Sequence, residues 1–366
     1  MKKGKIIHVL APGGLAGAER VVLGGIDALR AEGEHEVELV VLDERRAPES
    51  FAVFASAARA YGIHPVVIPT RSQIELSAIR ALYHKLRGAH LVHAHGPKAL
   101  AWCWAAKPRA TRFVTTHHGD ISGDLKAKFY EELSHKIYRR CDRVFAVDEA
   151  NRERLAKILG EDKVALVENF LAVRAPAPRV RRPSGALSML SLGRLSREKG
   201  LDTLIEALAK CHHNITLDIA GDGPMRGELE AKVKALSLEH RVRFLGFVDN
   251  VHGLLETHDA LAMPSHREGM PMALIEALSA GLPILATDVG GIPSIVRPGK
   301  DALLTPAGDV TRMARALERF ALQHRQLASG AFESAFTTRH RFSARRWSKQ
   351  TNAHYTSLIE SSCGGF

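Results

Sequence analysis

The 366-residue chain contains no run of about 18 uncharged apolar residues, which is what a membrane-spanning helix requires. Its opening, MKKGKIIHVLAPGG, has an apolar run shorter than the roughly 7–15 residues of a secretory signal, so we interpret it as a first β-strand. The four cysteines, Cys103, Cys141, Cys211 and Cys363, lack the paired spacing of a zinc site or a disulfide framework. These absences predict a cytoplasmic protein in a reducing compartment.

Acidic residues are missing from two stretches of a chain whose formal net charge is +11. Residues 76–119 contain seven basic residues and no acidic one, and residues 339–349 add five more. No aromatic-interleaved motif or zinc-finger spacing accompanies this charge, which disfavours nucleic acid as the partner. An anionic membrane surface, with the protein peripheral at the inner face of the cell membrane, fits the charge, as does a phosphorylated acceptor. A solvated basic face without a partner fits it equally well.

Apolar runs rich in Val, Ile and Leu alternate with segments of helical period along the whole chain. Strands this apolar suit a sheet that is covered on both faces, and strand–helix alternation implies parallel strands. The alternation stops at AVRAPAPRVRRPSGA, residues 172–186, whose prolines and arginines indicate a linker. The prediction is an α/β protein of two doubly wound, Rossmann-like domains facing across a cleft, 1–171 and 187–344.

Ligands of such sheets bind beyond the carboxyl ends of the strands, so the residues that follow each strand are the informative ones. The first strand ends in APGGLAGAER, where the glycines at 13, 14 and 17 do not have the spacing of a dinucleotide-binding fingerprint. Gly17 precedes a helix whose N–H groups could still face an anion. A flexible turn is the alternative.

Two further strands of the first half end in histidines, in VHAHG and THHGD. His93 and His95 lie on one face of their strand, and His117 and His118 follow at the next strand end. A metal site of these four histidines, a polar or charge-stabilising role for His118, and purely structural histidines all fit the pattern. Asp120 is the one nearby carboxylate, which counts against a metal.

The second half begins with a strand, a loop and a helix start in LSLGRLSREKG. Arg194 and Lys199 flank this loop, and a guanidinium and an ammonium beside helix N–H groups suit a diphosphate. Glycine-rich ends follow on the next two strands. In IAGDGPMR, Pro224 is predicted near the first position of a helix, and in FLGFVDN, Gly246 allows close backbone approach.

The stretch SHREGMPMALIEALSAG carries two glutamates, Glu268 and Glu276. We predict a helix over 271–280, with Pro271 at its first position and Gly281 as its stop. Glu268 then lies before the helix, and Glu276 lies roughly 7–8 Å along its axis. Two carboxylates near a positive helix end suit one elongated polar ligand with sugar hydroxyls. The alternative is a Glu268 favoured by the helix dipole and an exposed Glu276.

In this order, GRLSREKG, AGDGP, GFVDN and SHREGMPMALIEALSAGLPILATDVGGIPSIV resemble the donor half of the GT-B glycosyltransferases of glycosyltransferase family 4 (GT4). The resemblance is strong over residues 188–310 and weaker over 1–171, through AGAERVV, VHAHG and THHGD. It implies a retaining, metal-independent hexosyltransferase that uses a nucleoside-diphosphate sugar and no other cofactor. The acceptor would be a glycan or lipid-linked glycan of cell-surface polysaccharide or lipopolysaccharide biosynthesis. It also implies that a last helix, from about residue 345 to 366, packs back on the N-terminal domain.

The resemblance assigns roles residue by residue. Glu268 would contact the hydroxyls of the transferred sugar, Glu276 the donor ribose, and His118 the region of the reacting carbon, while Arg194 and Lys199 would hold the diphosphate. The remaining donor-binding positions it implies are Gly14, Gly17, Gly193, Gly221, Gly246, Phe247, Val248, Gly269, Met270 and Pro271. Alternatives of the same architecture are a nucleotide-sugar 2-epimerase and a non-catalytic sugar-nucleotide-binding protein.

Overall fold

A computed structural model describes residues 3–12, 15, 17–43, 48–70, 75–118, 125–172, 177–178, 185–248 and 250–363. Within these ranges the chain divides into two compact units, which are treated one at a time below. Unit 1 is Met1–Val173 together with Ser343–Phe366, and unit 2 is Arg174–Phe342.

Unit 1 contains a parallel sheet, and its strands are apolar because both faces are covered. Its strands are β1 (Lys5–Leu10), β2 (Glu36–Asp43), β3 (Val66–Pro69), β4 (Leu91–His95), β5 (Arg112–His117), β6 (Arg143–Ala146) and β7 (Val164–Leu166). Its helices are α1 (Gly17–Glu32), α2 (Pro48–Ala60), α3 (Leu76–Leu86), α4 (Pro97–Ala106), α5 (Leu125–Tyr138), α6 (Glu149–Leu159) and the C-terminal α13 (Ala344–Cys363).

The strand order in unit 1 is β3-β2-β1-β4-β5-β6-β7, so the order reverses between β1 and β4. One face of the sheet packs with α1, α2 and α13 in a core that contains Ile6, Phe54 and Tyr355. The other face packs with α3 to α6 in a core that contains Leu82 and Leu100. The C-terminal helix therefore belongs to the layer that covers the same face as α1, which it contacts directly.

Unit 2 contains a second parallel sheet of order β10-β9-β8-β11-β12-β13, which reverses between β8 and β11. Its strands are β8 (Leu187–Leu192), β9 (Ile215–Ala220), β10 (Val242–Gly246), β11 (Ala260–Met263), β12 (Ile284–Thr287) and β13 (Ala302–Thr305). Its helices are α7 (Leu201–Ala209), α8 (Arg226–Ala235), α9 (Val251–Thr257), α10 (Met272–Ser279), α11 (Ile292–Ile295) and α12 (Val310–Arg341). Buried residues of α7, α8 and α12 form one core against this sheet, while α10 packs on β11 and β12. The predicted pair of doubly wound α/β sheets is thus confirmed within each unit.

Two helix starts differ from the sequence prediction by one or two residues. Pro271 is the residue before α10 rather than its first position, and Pro224 lies in a turn that ends before α8 begins at Arg226. The rigid φ of proline fits a residue that enters a helix as well as the first helical residue, so sequence alone does not separate the two. The predicted stop is confirmed: α10 ends at Ser279, and Gly281 follows with φ +81°.

Within the described residues, no helix combines the length and the apolarity needed to cross a bilayer. Cys103, Cys141 and Cys211 are buried free thiols. Burial raises the pKa of each of them, so they remain protonated and act as small apolar side chains.

Candidate active site

The candidate site of unit 2 lies where the strand order reverses, at the carboxyl ends of β8 and β11. In doubly wound sheets this reversal opens a crevice, because the two neighbouring strands send their connections to opposite faces. The loop after β8 contains Gly193, Arg194 and Lys199, and the loop after β11 contains Ser265 and Glu268. Segments that are about 70 residues apart in sequence therefore meet at one sheet edge.

Lys199 and Glu268 form an ion pair at this edge. Lys199 Nζ lies 2.6 Å from Glu268 Oε1, and the Ser265 hydroxyl donates to the same oxygen at 2.7 Å. The Glu268 side chain is 9% exposed and the Lys199 side chain 25%. An ammonium has three N–H groups, so Lys199 keeps donors for a ligand while it neutralises the carboxylate. The cation and the carboxylate are thus in direct contact, although Lys199 was predicted to hold the diphosphate and Glu268 the sugar hydroxyls.

Lys199 is positioned by a short 3₁₀ turn, Arg197–Lys199, that ends at Gly200. Gly200 has φ +60°, and a Cβ there would lie 2.2 Å from the carbonyl oxygen of Pro264. Only glycine combines this left-handed backbone with so close an approach. The turn after β8 is in this way pressed against the end of β11, which brings Lys199 within reach of Glu268.

Glycines also join the ends of β8, β9 and β10. The N–H of Gly193 donates to Ala220 O at 3.1 Å, and the N–H of Gly221 donates to Gly246 O at 2.7 Å. A Cβ on Gly221 would lie 1.8 Å from the carbonyl oxygen of Gly193. The predicted glycines Gly193, Gly221 and Gly246 therefore lie together at the strand ends, with the exposed Phe247 and half-buried Val248 immediately after them.

The loop that follows β12 packs against the backbone of Glu268. Gly290 has φ +55°, and a Cβ there would lie 1.7 Å from the Glu268 carbonyl oxygen, while the N–H of Gly291 donates to Gly269 O at 2.9 Å. Any side chain at position 290 must therefore displace the backbone that carries Glu268.

We expect Gly290→Ala to lower the free energy of unfolding of unit 2 by at least about 1–3 kcal/mol, the usual cost of a strained backbone. The matched control is Gly227→Ala in α8, where a Cβ meets open space. Because Ala exceeds Gly in helix propensity by about 0.8–1.0 kcal/mol, the control should stabilise. Urea unfolding followed by hydrogen exchange of unit 2 amides measures both changes. Equal stabilities of the two variants would contradict the role of Gly290.

A three-residue segment, 269–271, connects Glu268 to the start of α10. Gly269 is half-buried, Met270 and Pro271 are buried, and Glu276 is half-buried in the helix. The alternative of an exposed Glu276 is therefore wrong. The first N–H groups of a helix have no partner within it, so they are available to an anion or a hydroxyl oxygen.

Arg194, like Arg197, is an exposed cation of the loop after β8. Together with Gly193, Lys199 and Ser265 it lines a small cavity beside the ion pair. The predicted residues Arg194, Lys199 and Glu268 are thus brought to one place. Ser265, which holds Glu268 in position, was missed because a serine in a loop carries no sequence signal of its own.

Unit 1 has its own strand-order reversal, between β1 and β4, and β4 ends at His95. Gly17 is the exposed first residue of α1, whereas Gly14 lies outside the described residues. His118 follows β5, with a ring centroid 6.5 Å from that of His95. Burial, and to a smaller extent His117, lowers the pKa of His118 to about 4, so its imidazole is neutral at physiological pH.

The four predicted histidines do not form one cluster. His117 contacts Tyr138 Oη at 3.1 Å and Arg154 at 3.3 Å, on the side of α5 and α6. Adjacent residues of a strand point to opposite faces, which separates His117 from its neighbour His118. His93 and His95 are instead joined by His8 of β1, and ring nitrogens of these three lie within 4.8 Å of one another. His8 was missed because it sits inside an apolar strand without a spacing motif.

Two family models match the chain. The model described as Glycosyltransferase Family 4 matches residues 15–173, and the model described as Glycosyl transferases group 1 matches residues 177–329. Together they cover most of both units.

Curated relatives include two bacterial proteins of polysaccharide synthesis. The putative colanic acid biosynthesis glycosyltransferase WcaL of Salmonella typhimurium is 30% identical over 276 residues, which are 69% of this chain and 67% of that protein. The lipopolysaccharide core biosynthesis glycosyltransferase LpsE of Rhizobium meliloti is 27% identical over 238 residues, or 64% of this chain and 68% of that one.

Solved structures share the fold over nearly the whole chain. The complex of Anabaena Alr3699/HepE with UDP and glucose has a TM-score of 0.83 at 20% identity, covering 97% of this chain and 100% of that one. The lipopolysaccharide outer core galactosyltransferase WaaB in its apo form has a TM-score of 0.73 at 19% identity, covering 96% and 99%. With its two parallel α/β sheets, its matched family models and these relatives, the chain belongs to glycosyltransferase family 4 and has the GT-B fold.

Proposed function

We propose that this glycosyltransferase moves a sugar from a nucleoside-diphosphate sugar to a hydroxyl of a glycan or lipid-linked glycan, with retention of anomeric configuration. The product would enter a lipopolysaccharide or another cell-surface polysaccharide. The names of LpsE and WcaL support the pathway class, and the UDP-glucose bound to the similar Anabaena protein supports the donor class.

The observation that carries the proposal is the Lys199–Glu268 pair at the strand-order reversal of unit 2. A nucleotide sugar presents an anionic diphosphate directly next to a neutral ring of hydroxyls. An ammonium in contact with a carboxylate matches that junction, because the ammonium donates to phosphate oxygens and the carboxylate accepts from hydroxyls.

In the proposed reaction the bond between C1 of the sugar and the terminal phosphate oxygen breaks, and the electron pair stays on the phosphate. The oxygen of the acceptor hydroxyl forms the new bond to C1, and its proton passes to the released diphosphate. Negative charge therefore grows on the diphosphate as the transition state is reached. Lys199 and Arg194 are cations held near that position before the reaction starts, so they stabilise the transition state more than the bound donor. No metal ion is needed to neutralise this charge.

The other residues would bind the rest of the donor. Glu268 would accept from hydroxyls of the transferred sugar and Glu276 from the ribose. The N–H groups at Gly269 and Met270, in the loop just before α10, would face the phosphates. The glycine edges at Gly193, Gly221 and Gly246, followed by Phe247 and Val248, would lie against the nucleotide, and Gly17 would let the loop after β1 approach the donor. His118, neutral at physiological pH, would hydrogen bond near the reacting carbon.

The test is donor binding to the purified protein, measured as thermal stabilisation by UDP-, GDP- and ADP-sugars. A sugar nucleotide at 100 times its Kd should stabilise unit 2 by about 2.7 kcal/mol. Lys199→Met should abolish most of that gain. The matched control is Lys300→Met, which removes the lysine of an exposed Lys–Glu pair with a 2.8 Å contact elsewhere in unit 2 and should leave the gain unchanged.

Product analysis then separates transfer from the alternatives. Transfer to a hydroxyl acceptor with retained configuration is the expected result by NMR. An epimer formed from the donor alone would overturn the proposal in favour of an isomerase. Binding without turnover on any acceptor of the lipopolysaccharide or colanic acid type would favour a binding protein.

A further inference from the structure

Five side chains of unit 1 form a continuous hydrogen-bonded chain, which we call the histidine chain: the half-buried Thr116 and the buried His93, Tyr355, His8 and His95. Thr116 Oγ1 lies 2.8 Å from His93 Nε2, and His93 Nδ1 lies 2.6 Å from the Tyr355 hydroxyl. That hydroxyl lies 3.5 Å from His8 Nε2, and His8 Nδ1 lies 2.9 Å from His95 Nε2. The middle link comes from α13, at the far end of the sequence.

All members of the histidine chain are neutral. Burial lowers the pKa of His8 to about 3 and holds the pKa values of His93 and His95 well below the ordinary value. Burial also raises the pKa of the Tyr355 phenol, so its proton is retained. A neutral imidazole has one N–H and one lone pair, so each ring must accept a hydrogen bond at one nitrogen and donate at the other.

This rule leaves two arrangements of the hydrogen bonds along the histidine chain. If Thr116 donates to His93, the bonds run through Tyr355 to His8 and on to His95, and all three imidazoles carry their proton on Nδ1. If His95 donates to His8, every bond is reversed and all three carry it on Nε2. The geometry thus ties the tautomers of three residues on two strands to one another.

A metal ion explains the group less well, although three imidazoles lie close together. Five of the six ring nitrogens of His8, His93 and His95 already have a hydrogen-bond partner, and within the described residues His95 Nδ1 is the buried exception. The group of possible ligands contains no carboxylate among the residues that the structure describes, so a buried dication would keep its full charge.

The histidine chain ends at the strand-order reversal of unit 1. His95 is the last residue of β4, and its ring lies beside that of His118, with centroids 6.5 Å apart. Within the described residues His118 Nε2 is, like His95 Nδ1, a buried nitrogen without a hydrogen-bond partner. The tautomer of His95 therefore decides whether its unpartnered Nδ1, on the ring beside His118, is a donor or an acceptor.

We propose that the histidine chain is a positioning device for His118: Tyr355 couples the tautomers of His8, His93 and His95, one of the two arrangements prevails, and His95 thereby presents a single fixed polarity beside His118. His118 would then hold one orientation toward the sugar. The role of His118 in transfer rests on the proposed function, whereas the shared tautomer does not.

The first experiment reads the tautomers directly, by NMR of ¹⁵N-histidine-labelled protein at pH 7 without substrate. Single His→Gln variants provide the assignments. The expected result is one tautomer common to His8, His93 and His95. In Tyr355→Phe, which keeps the ring and removes the hydroxyl, the His95 signals should report a mixture of tautomers, although Tyr355 does not hydrogen bond to His95. Mixed tautomers in the wild-type protein, or an unchanged His95 in the variant, would overturn the proposal.

The matched control is Tyr138→Phe, because Tyr138 is a buried tyrosine whose hydroxyl contacts a different histidine, His117. This variant should leave the NMR signals of His8, His93 and His95 unchanged. Tyr355→Phe should also lower kcat about tenfold, as expected for one hydrogen bond, with the donor KM within about twofold, and Tyr138→Phe should keep kcat within about twofold.

An unchanged kcat in Tyr355→Phe would remove the positioning role even if the tautomers agree. Stoichiometric Zn²⁺ binding that is lost in His8→Gln would show that these histidines form a metal site and would overturn the proposed role of the histidine chain. If the wild-type protein uses no sugar nucleotide, the proposed function fails, but the tautomer measurement still decides whether the chain exists.

Discussion

Lowering the pH from 6.5 to 5 is expected to weaken unit 1 steeply. In the folded protein burial holds the pKa values of His8, His93 and His95 below 6.5, so these rings stay neutral. The unfolded chain takes up their protons near pH 6.5, and stability therefore falls with pH from there down to the folded pKa, about 3 for His8. Each histidine contributes about 1.4 kcal/mol per pH unit, and three give about 4 kcal/mol per unit. That is a large part of the roughly 5–15 kcal/mol that stabilises an ordinary domain.

Hydrogen exchange of the slowest amides of β1 and β4 measures this effect in unit 1 alone, at several pH values after correction for the intrinsic exchange rate. His8→Gln should reduce the slope by about 1.4 kcal/mol per pH unit, whatever it does to absolute stability. A wild-type slope near zero between pH 6 and 5 would mean that the three rings are already protonated in the fold.

Most of the fold could be predicted because its signals are local. Apolar strands, helical periods and a proline-rich break specify two parallel α/β sheets, and glycines after β8, β9 and β10 mark the strand ends. Boundaries were less certain. Pro271 fits either side of a helix start, and only the packing of α10 on β11 and β12 decides where the first turn forms.

Contacts within the site were harder to predict, since they depend on segments that are distant in sequence. Lys199 and Glu268 were both singled out, but their direct contact follows from the backbone approach of Gly200 to Pro264, which no motif records. His8 and Tyr355 are 347 residues apart and look like ordinary members of an apolar strand and a terminal helix. Their partnership with His93 appears only when α13 covers the sheet.

Variants of the Lys199–Glu268 pair should separate stability from activity. Lys199→Met leaves the nearly buried Glu268 carboxylate without its cation, which costs about 3–5 kcal/mol for a fully buried pair and less here, because Lys199 is 25% exposed. Glu268→Gln in the same chain removes the unpaired charge, while its amide oxygen still accepts from Ser265. We therefore expect the double variant to be more stable than Lys199→Met alone.

Activity should not recover with stability. If Lys199 stabilises charge on the leaving diphosphate, its loss should lower kcat about 10²–10³-fold, as the loss of one oxyanion donor does, in the single and the double variant alike. The cycle consists of the wild-type protein, the single variants Lys199→Met and Glu268→Gln, and the double variant. Urea unfolding of unit 2 and steady-state kinetics are measured on all four, with Lys300→Met as the control that should change neither. A double variant that regains wild-type kcat would show that Lys199 serves only to neutralise Glu268. A double variant as unstable as the single would show that the carboxylate is not stranded, and that water already reaches it at the end of β11.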